Sequence, residues 1–239
     1  MTIQTGNISN LRPLHFFDGE LGALHSMLLE TTDLLMIQLE QTLHALDYGD
    51  ADLALKVISR DCKVDDKQAR IEHEIQDVLA HRGSLASDLR TLMLISKMAD
   101  ALEKIGNEIV NLARQTQALF DRNSCDPELM SEIMHIGSMI KIMLDKVTIV
   151  LETRNSNQAY KLMQHGWNCD TRLQQAVKFQ LILTIERGPI IEHALDIMHI
   201  LKALERCAGL CRNIAEYQIL MLDSVDMRRS SSPLTSNAN

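Results

Sequence analysis

The sequence predicts an all-α protein of six helices arranged as two repeated halves, on three observations. Apolar residues recur at alternating spacings of three and four through most of the chain, the pattern of amphipathic helices. The composition is 46% hydrophobic with only 3% aromatic residues and 13 Met, giving an interior of Leu, Ile, Met and Ala that suits stacked helices better than sheets. Finally, the stretch Ala99 to Arg114 returns in weaker form as Lys202 to Glu216. Ala101, Leu102, Glu103, Asn111 and Ala113 there meet the identical Ala203, Leu204, Glu205, Asn213 and Ala215.

Met1 to Pro13 has no periodicity and reads as an irregular lead-in. The first helix begins near Leu14 and carries its stripe through Leu21, Leu24, Leu28, Leu35, Leu39, Leu43 and Leu46. Asp47-Tyr48-Gly49-Asp50 stops it, with Gly49 as the C-terminal stop and Asp50 as a side-chain cap for the next helix. The second helix, about Ala51 to Ala80, is far more charged and presents a wetted face. Arg82-Gly83-Ser84 turns the chain, Ser87 caps the third helix, and Asp88 places a carboxylate in its first turn, where the helix dipole favours it. The third helix runs to about Phe120. Its stripe of Leu92, Ile95, Ala99, Leu102, Gly106, Ile109 and Ala113 includes small residues that let neighbours approach closely. It is therefore expected to be central in its bundle, as is its counterpart with Ala208 and Ala215.

Arg122-Asn123-Ser124-Cys125 breaks the pattern, and Asp126-Pro127-Glu128 supplies a cap, a Pro at the first helical position and an acid. The fourth helix extends to about Thr153, Asn155-Ser156-Asn157 turns, and the fifth runs to about Glu186. Gly188-Pro189 then turns into a sixth that ends near Leu222. Ala54, Lys56 and Asp65 align with Ala159, Lys161 and Asp170 at one constant offset, so the repeat covers the second helix of each half as well as the third. The halves are expected at residues 14–122 and 126–222. Residues 223–239, Ser/Asn/Arg-rich with little to pack, are expected to form a disordered tail.

A formal charge of −8 without a dense Lys/Arg face argues against nucleic acid as a partner. No apolar run approaches the length of a membrane span and the start lacks a signal-peptide core, so a cytoplasmic protein is expected. Five cysteines at irregular spacing give no disulfide framework and fit a reducing compartment. There is no Gly-rich phosphate loop, no nucleophile elbow and no Ser/His/Asp arrangement on which to hang catalysis, and the protein is read as a non-enzyme.

Asp61 and Asp65 lie four apart, on one face of a continuous helix one turn from each other, and Glu103 and Asn107 repeat the spacing on the third helix. Packed antiparallel, these pairs would converge into an oxygen-rich site suited to Fe, Mn or Mg, or to Zn with less selectivity. Acid pairs four apart are also common on solvated helices. A softer Zn site from His165, Cys169, Cys207 and Cys211 is weaker than the reading of these cysteines as core filler, because Cys211 lies on the apolar stripe. Trp167 beside Gly166 reads either as an exposed anchor for a partner or as a plug for the gap that Gly166 leaves.

The acid pair on the second helix, Ala86-Ser87-Asp88-Leu89-Arg90, Leu94-Ile95-Ser96-Lys97, Leu102-Glu103-Lys104-Ile105-Gly106-Asn107 and Arg212-Asn213-Ile214-Ala215-Glu216 together resemble the PhoU family of phosphate-uptake regulators, as does Phe17-Asp18-Gly19-Glu20-Leu21 at the entry to the first helix. The resemblance spans about Phe16 to Leu222. It implies two tandem three-helix bundles in a cytosolic protein, usually a homodimer. Such a protein represses the phosphate-starvation response through a sensor histidine kinase and the ATPase of the phosphate ABC transporter, with Asp88 and Arg90 in a candidate partner surface. It also implies acid-x-x-x-Asp pairs that hold metal clusters in some members. Here Asp61 and Asp65 match, Glu103 has the uncharged Asn107 as partner, Gly166 precedes Asp170, and Gly209 follows Glu205. At most one weak metal site is expected, in the first bundle, and none of the usual kind in the second. Two other readings stand beside the regulator: a metal-binding helical protein, and a diverged paralogue that regulates another transporter.

Overall fold

The computed structural model describes residues 12–60, 62–81, 86–121, 127–187 and 191–230. Among these the chain forms seven helices: α1 (Arg12–Tyr48), α2 (Ala51–Ile58), α3 (Cys62–His81), α4 (Ala86–Asp121), α5 (Pro127–Thr153), α6 (Ser156–Arg187) and α7 (Ile191–Ser230). The architecture is the expected pair of three-helix bundles. In the first, α2 and α3 share the place of one helix against α1 and α4; in the second, α5, α6 and α7 pack together.

Several boundaries carry the chemistry read from the sequence. Gly49 takes a positive φ of 72° and, with Asp50, sends its N–H back to the Ala45 carbonyl at 2.9 and 3.1 Å, closing α1. The Asp50 carboxylate accepts the Leu53 N–H at 2.9 Å and caps α2. Pro127 opens α5, and the Asn155 side chain accepts the Asn157 N–H at 2.8 Å where α6 begins.

Three boundaries differ from expectation. The second helix is not continuous: the Ser59 hydroxyl donates to the Lys56 carbonyl at 2.9 Å, competing with the helix ladder, and the chain turns at Ser59 and Arg60 before α3 starts. Gln38 and Arg60 tie that turn to α1 through Gln38 Nε2 to the Arg60 carbonyl, 3.5 Å, and Arg60 Nη1 to Gln41 Oε1, 3.4 Å. α4 opens at Ala86, which places Ser87 inside the first turn rather than ahead of it. α7 stays helical to Ser230, past the start expected for the tail. The lead-in before Arg12, the turns at Arg82-Gly83-Ser84 and Gly188-Pro189, the segment Arg122 to Asp126, Asp61, and residues 231–239 lie outside the described residues.

One apolar core runs through both bundles. The stripe residues Leu92, Ile95, Leu102, Ile109 and Ala113 of α4 and Leu201, Leu204, Ala208, Cys211 and Ala215 of α7 are all buried. Among the described residues α4 and α7 make the most extensive helix pairing, joining the two bundles through their central helices. They run antiparallel: Arg206 pairs with Glu108 at 2.8 Å, and the Lys97 ammonium lies 5.6 Å from the centre of the Tyr217 ring. The small residues act as their spacing predicts. A Cβ on Gly106 would stand 3.1 Å from Val64 Cγ1 and 3.2 Å from Leu35 Cδ2, so α1 and α3 close on α4 there. Thr31, Thr32, Thr42 and Thr116 enter the core because each hydroxyl donates to the carbonyl one turn back, at 2.8 to 3.0 Å.

Candidate functional site

Glu103 and Asn107 face α3 from α4. Asn107 Nδ2 donates to Glu103 Oε1 at 2.5 Å, which uses part of the amide to hold the carboxylate in place. Burial raises the Glu103 carboxyl pKa above its ordinary value, and the nearby negative charges of Asp65 and then Asp100 raise it further, against the Asn107 hydrogen bond. Asp65, exposed on α3, and Glu103, half-buried on α4, stand on either side of the α3–α4 seam, close enough for the Asp65 charge to act on Glu103. Their third member, Asp61, is not described. Among the described residues no three His, Cys, Asp or Glu side chains gather in a way that holds a metal ion.

The equivalent place in the second bundle is built differently. Gly166 of α6 and Gly209 of α7 stand where the acid pairs lack a carboxylate, and the Arg212 side chain lies over both. A Cβ on Gly166 would meet Arg212 Cδ at 2.5 Å and Cγ at 2.6 Å, and one on Gly209 would stand 3.8 Å from Arg212 Nη2. Arg212 Nη1 donates to Asp170 Oδ2, and the two side chains are only 24% and 30% exposed. The other surviving acid, Glu205, is exposed and accepts from Lys202 at 2.5 Å. Arg212 appears in the sequence only as part of a motif. The available signal was a pair of glycines beside two surviving acids, with an Arg three residues after the second glycine and hence on its face.

Cys169, Cys207 and Cys211 are all buried between α6 and α7. Burial pushes the Cys169 and Cys211 thiols up to about 12 and Cys207 well above its usual range. His165 is half-buried, its pKa lowered by burial and then by Lys146. The three cysteines are part of the core.

Trp167 is 56% exposed, so it is Arg212 that fills the space beside Gly166. The indole borders a cleft of about 490 Å³ at the junction of α4, α6 and α7, whose walls include Lys104, Glu108, Arg206, Asn213 and Glu216. At the start of α4, Arg90 is exposed together with Leu89 and Met93, and Asp88 is half-buried. Leu181, Ile182 and Ile185 near the end of α6 and Leu195 near the start of α7 are also exposed. No helix among the described residues is long and apolar enough to cross a membrane.

Fold and surface together define a duplicated three-helix-bundle protein with acids at its helix seams, Asp65 and Glu103 in the first half and Asp170 in the second. The PhoU domain family matches the chain twice, over residues 28–116 and 133–218, one match per bundle, and the chain belongs to the PhoU family. It is similar to the phosphate-specific transport system accessory protein PhoU homologue of Pseudomonas aeruginosa, 30% identical over 89% of this chain and 87% of that protein. It is also similar to PhoU of Escherichia coli, 25% identical over 89% and 87%. Its fold is that of the P. aeruginosa PhoU crystal structure, with a TM-score of 0.81 at 29% identity over 87% of this chain and 99% of that one. The Streptococcus pneumoniae PhoU structure shares the fold, with a TM-score of 0.78 at 23% identity over 86% and 96%.

Proposed function

We propose that this protein is the accessory regulator of a phosphate-specific transport system: a cytoplasmic, non-enzymatic, homodimeric negative regulator of phosphate uptake and of the phosphate-starvation response. It acts by docking its helical faces on the transporter ATPase and on a sensor histidine kinase, holding the signalling complex in its inhibited state by binding that state more tightly than the active one. The observation that carries this reading is the pair of PhoU matches, one in each bundle, together with similarity to relatives named for phosphate-specific transport. The exposed Leu89 and Met93 one turn apart at the start of α4 support it, since exposed apolar side chains grouped on one helix face suit a partner. Immobilised protein should retain the transporter ATPase and the kinase from solution; retention of neither overturns the reading. The double variant Arg90→Glu/Met93→Asp should weaken that capture at least tenfold and leave the melting temperature unchanged, because both side chains are exposed.

A second reading, metal binding in the first bundle, is favoured by the charge that Asp65 and Glu103 bring together. Asp61, Asp65, Glu103 and the Asn107 oxygen would be the ligands, and Fe, Mn, Mg or Zn the candidate ions. Elemental analysis of the purified chain should give at most one site's worth of metal, lost in Asp65→Asn; stoichiometric metal in both halves overturns this. The eroded acids of the second half also favour a paralogue that serves another transporter, which the neighbouring genes would reveal.

A further inference from the structure

We propose that Arg212 is the built-in cation of the second bundle: its guanidinium, tethered on α7 and laid across Gly166 and Gly209, neutralises Asp170 in place of a bound metal ion and makes the α6–α7 packing independent of metal. The inference does not rest on the regulatory reading above. Two features of the chain fit one another. Glycine stands four residues before Asp170 and four after Glu205, and the space beside Gly166 is filled by the stem of Arg212, which passes within 2.5 Å of where a Gly166 Cβ would stand. A metal site needs several oxygens turned toward one point. Here one of the two surviving acids, Asp170, is bound by Arg212, and the other, Glu205, is exposed and bound by Lys202. These residues do not fit a metal cluster. They fit a planar cation that needs a single carboxylate partner and brings its own positive charge.

The bundles thereby differ in kind. In the first, Asp65 and Glu103 repel one another; in the second, the position equivalent to Asp65 is neutralised within the chain. The position of Arg212 in the first copy is held by Val110, a buried apolar residue that supplies no charge.

Thermal unfolding of the full chain tests the stem and the charge separately. Gly166→Ala should lower the melting temperature by roughly 2–4 °C, the effect of about 1 kcal/mol in a chain of this size, because the new methyl displaces Arg212. In an Arg212→Ala background the same change should raise it, since the space is then free and Ala favours helix over Gly. Asp170→Asn should lower the melting temperature alone and raise it in Arg212→Met, where the stem remains and the charge is gone. The second cycle decides the matter if Arg212→Ala does not fold. Added Mn²⁺ should change the melting temperature of wild type and of Asp170→Asn equally. A Gly166→Ala effect of the same sign in both backgrounds, an Asp170→Asn effect of the same sign in both, or a Mn²⁺-dependent stabilisation that Asp170→Asn abolishes, would each overturn the proposal.

Discussion

Replacing Gly137 by Leu should destabilise the protein by about 2–3 kcal/mol, a loss of roughly 4–12 °C in melting temperature. Gly137 is buried in α5 where that helix crosses α1, and a Cβ there would run into the Leu43 Cδ2 methyl and stand 3.2 Å from Cδ1 and 3.4 Å from Cγ. Leu43 is itself only 7% exposed. Moving it away would displace side chains packed at native density, so a larger residue at 137 either strains Leu43 or pushes the helices apart. Because α1 and α5 belong to different bundles, the strain falls on the junction that joins the halves. Leu43→Ala alone should cost about 2–5 kcal/mol through the cavity it leaves. Together the two substitutions exchange a large and a small residue across one contact, and the double variant should lie well above the sum of the single losses, with a coupling of at least ~1 kcal/mol. Additive losses in urea denaturation would show that Gly137 and Leu43 do not share this contact.

Much of the fold was legible because the information was local. The Leu stripe of α1, the Gly49-Asp50 stop and cap, Pro127 at the head of α5 and the Asn155 turn each depend on residues within a few positions of one another. The break at Ser59 and Arg60 was not legible, since helical spacing continues through it. What stabilises the turn is a hydroxyl that finds a carbonyl three residues back and two Gln side chains on another helix. The candidate site divides in the same way. That Asp65 and Glu103 sit on helices that pack on one another was legible from the acidic spacings of the second and third helices. The contact of Arg212 with Gly166 was not, because it depends on the space above a glycine of α6, 46 positions away in the chain, whereas spacing along α7 puts Arg212 only on the face of Gly209. The joining of both bundles into one core through α4 and α7 was likewise hidden. Both stripes were visible, but a stripe does not say that its helix also packs on the equivalent helix of the other half.

Acid should weaken the protein through His25. This residue of α1 is 6% exposed, and burial, aided by the positive charge of Arg154 in the α5–α6 turn, lowers its pKa from 6.5 to about 4. Burial alone opposes the charged imidazolium, and Arg154 is held in place by a turn that puts it at a φ of 47°. In the unfolded chain the imidazole takes up a proton as pH falls through 6.5, whereas in the folded protein it does so only near 4. Over that window the unfolded state binds more protons, and folding stability falls as the pH falls. It is complete above about 6.5 and has lost about 3 kcal/mol by pH 4, since each pKa unit corresponds to about 1.4 kcal/mol. That is a substantial part of the ~5–15 kcal/mol that holds a typical domain together. The imidazole Nδ1 has no hydrogen-bond partner, so an apolar residue of similar size replaces it without stranding another polar group. His25→Leu should therefore keep the stability of the wild type at pH 7 or exceed it, and should show a shallower decline between pH 6.5 and 4. Urea denaturation at several pH values, run on both proteins, reads this directly, and equal slopes for the two would place the acid sensitivity elsewhere.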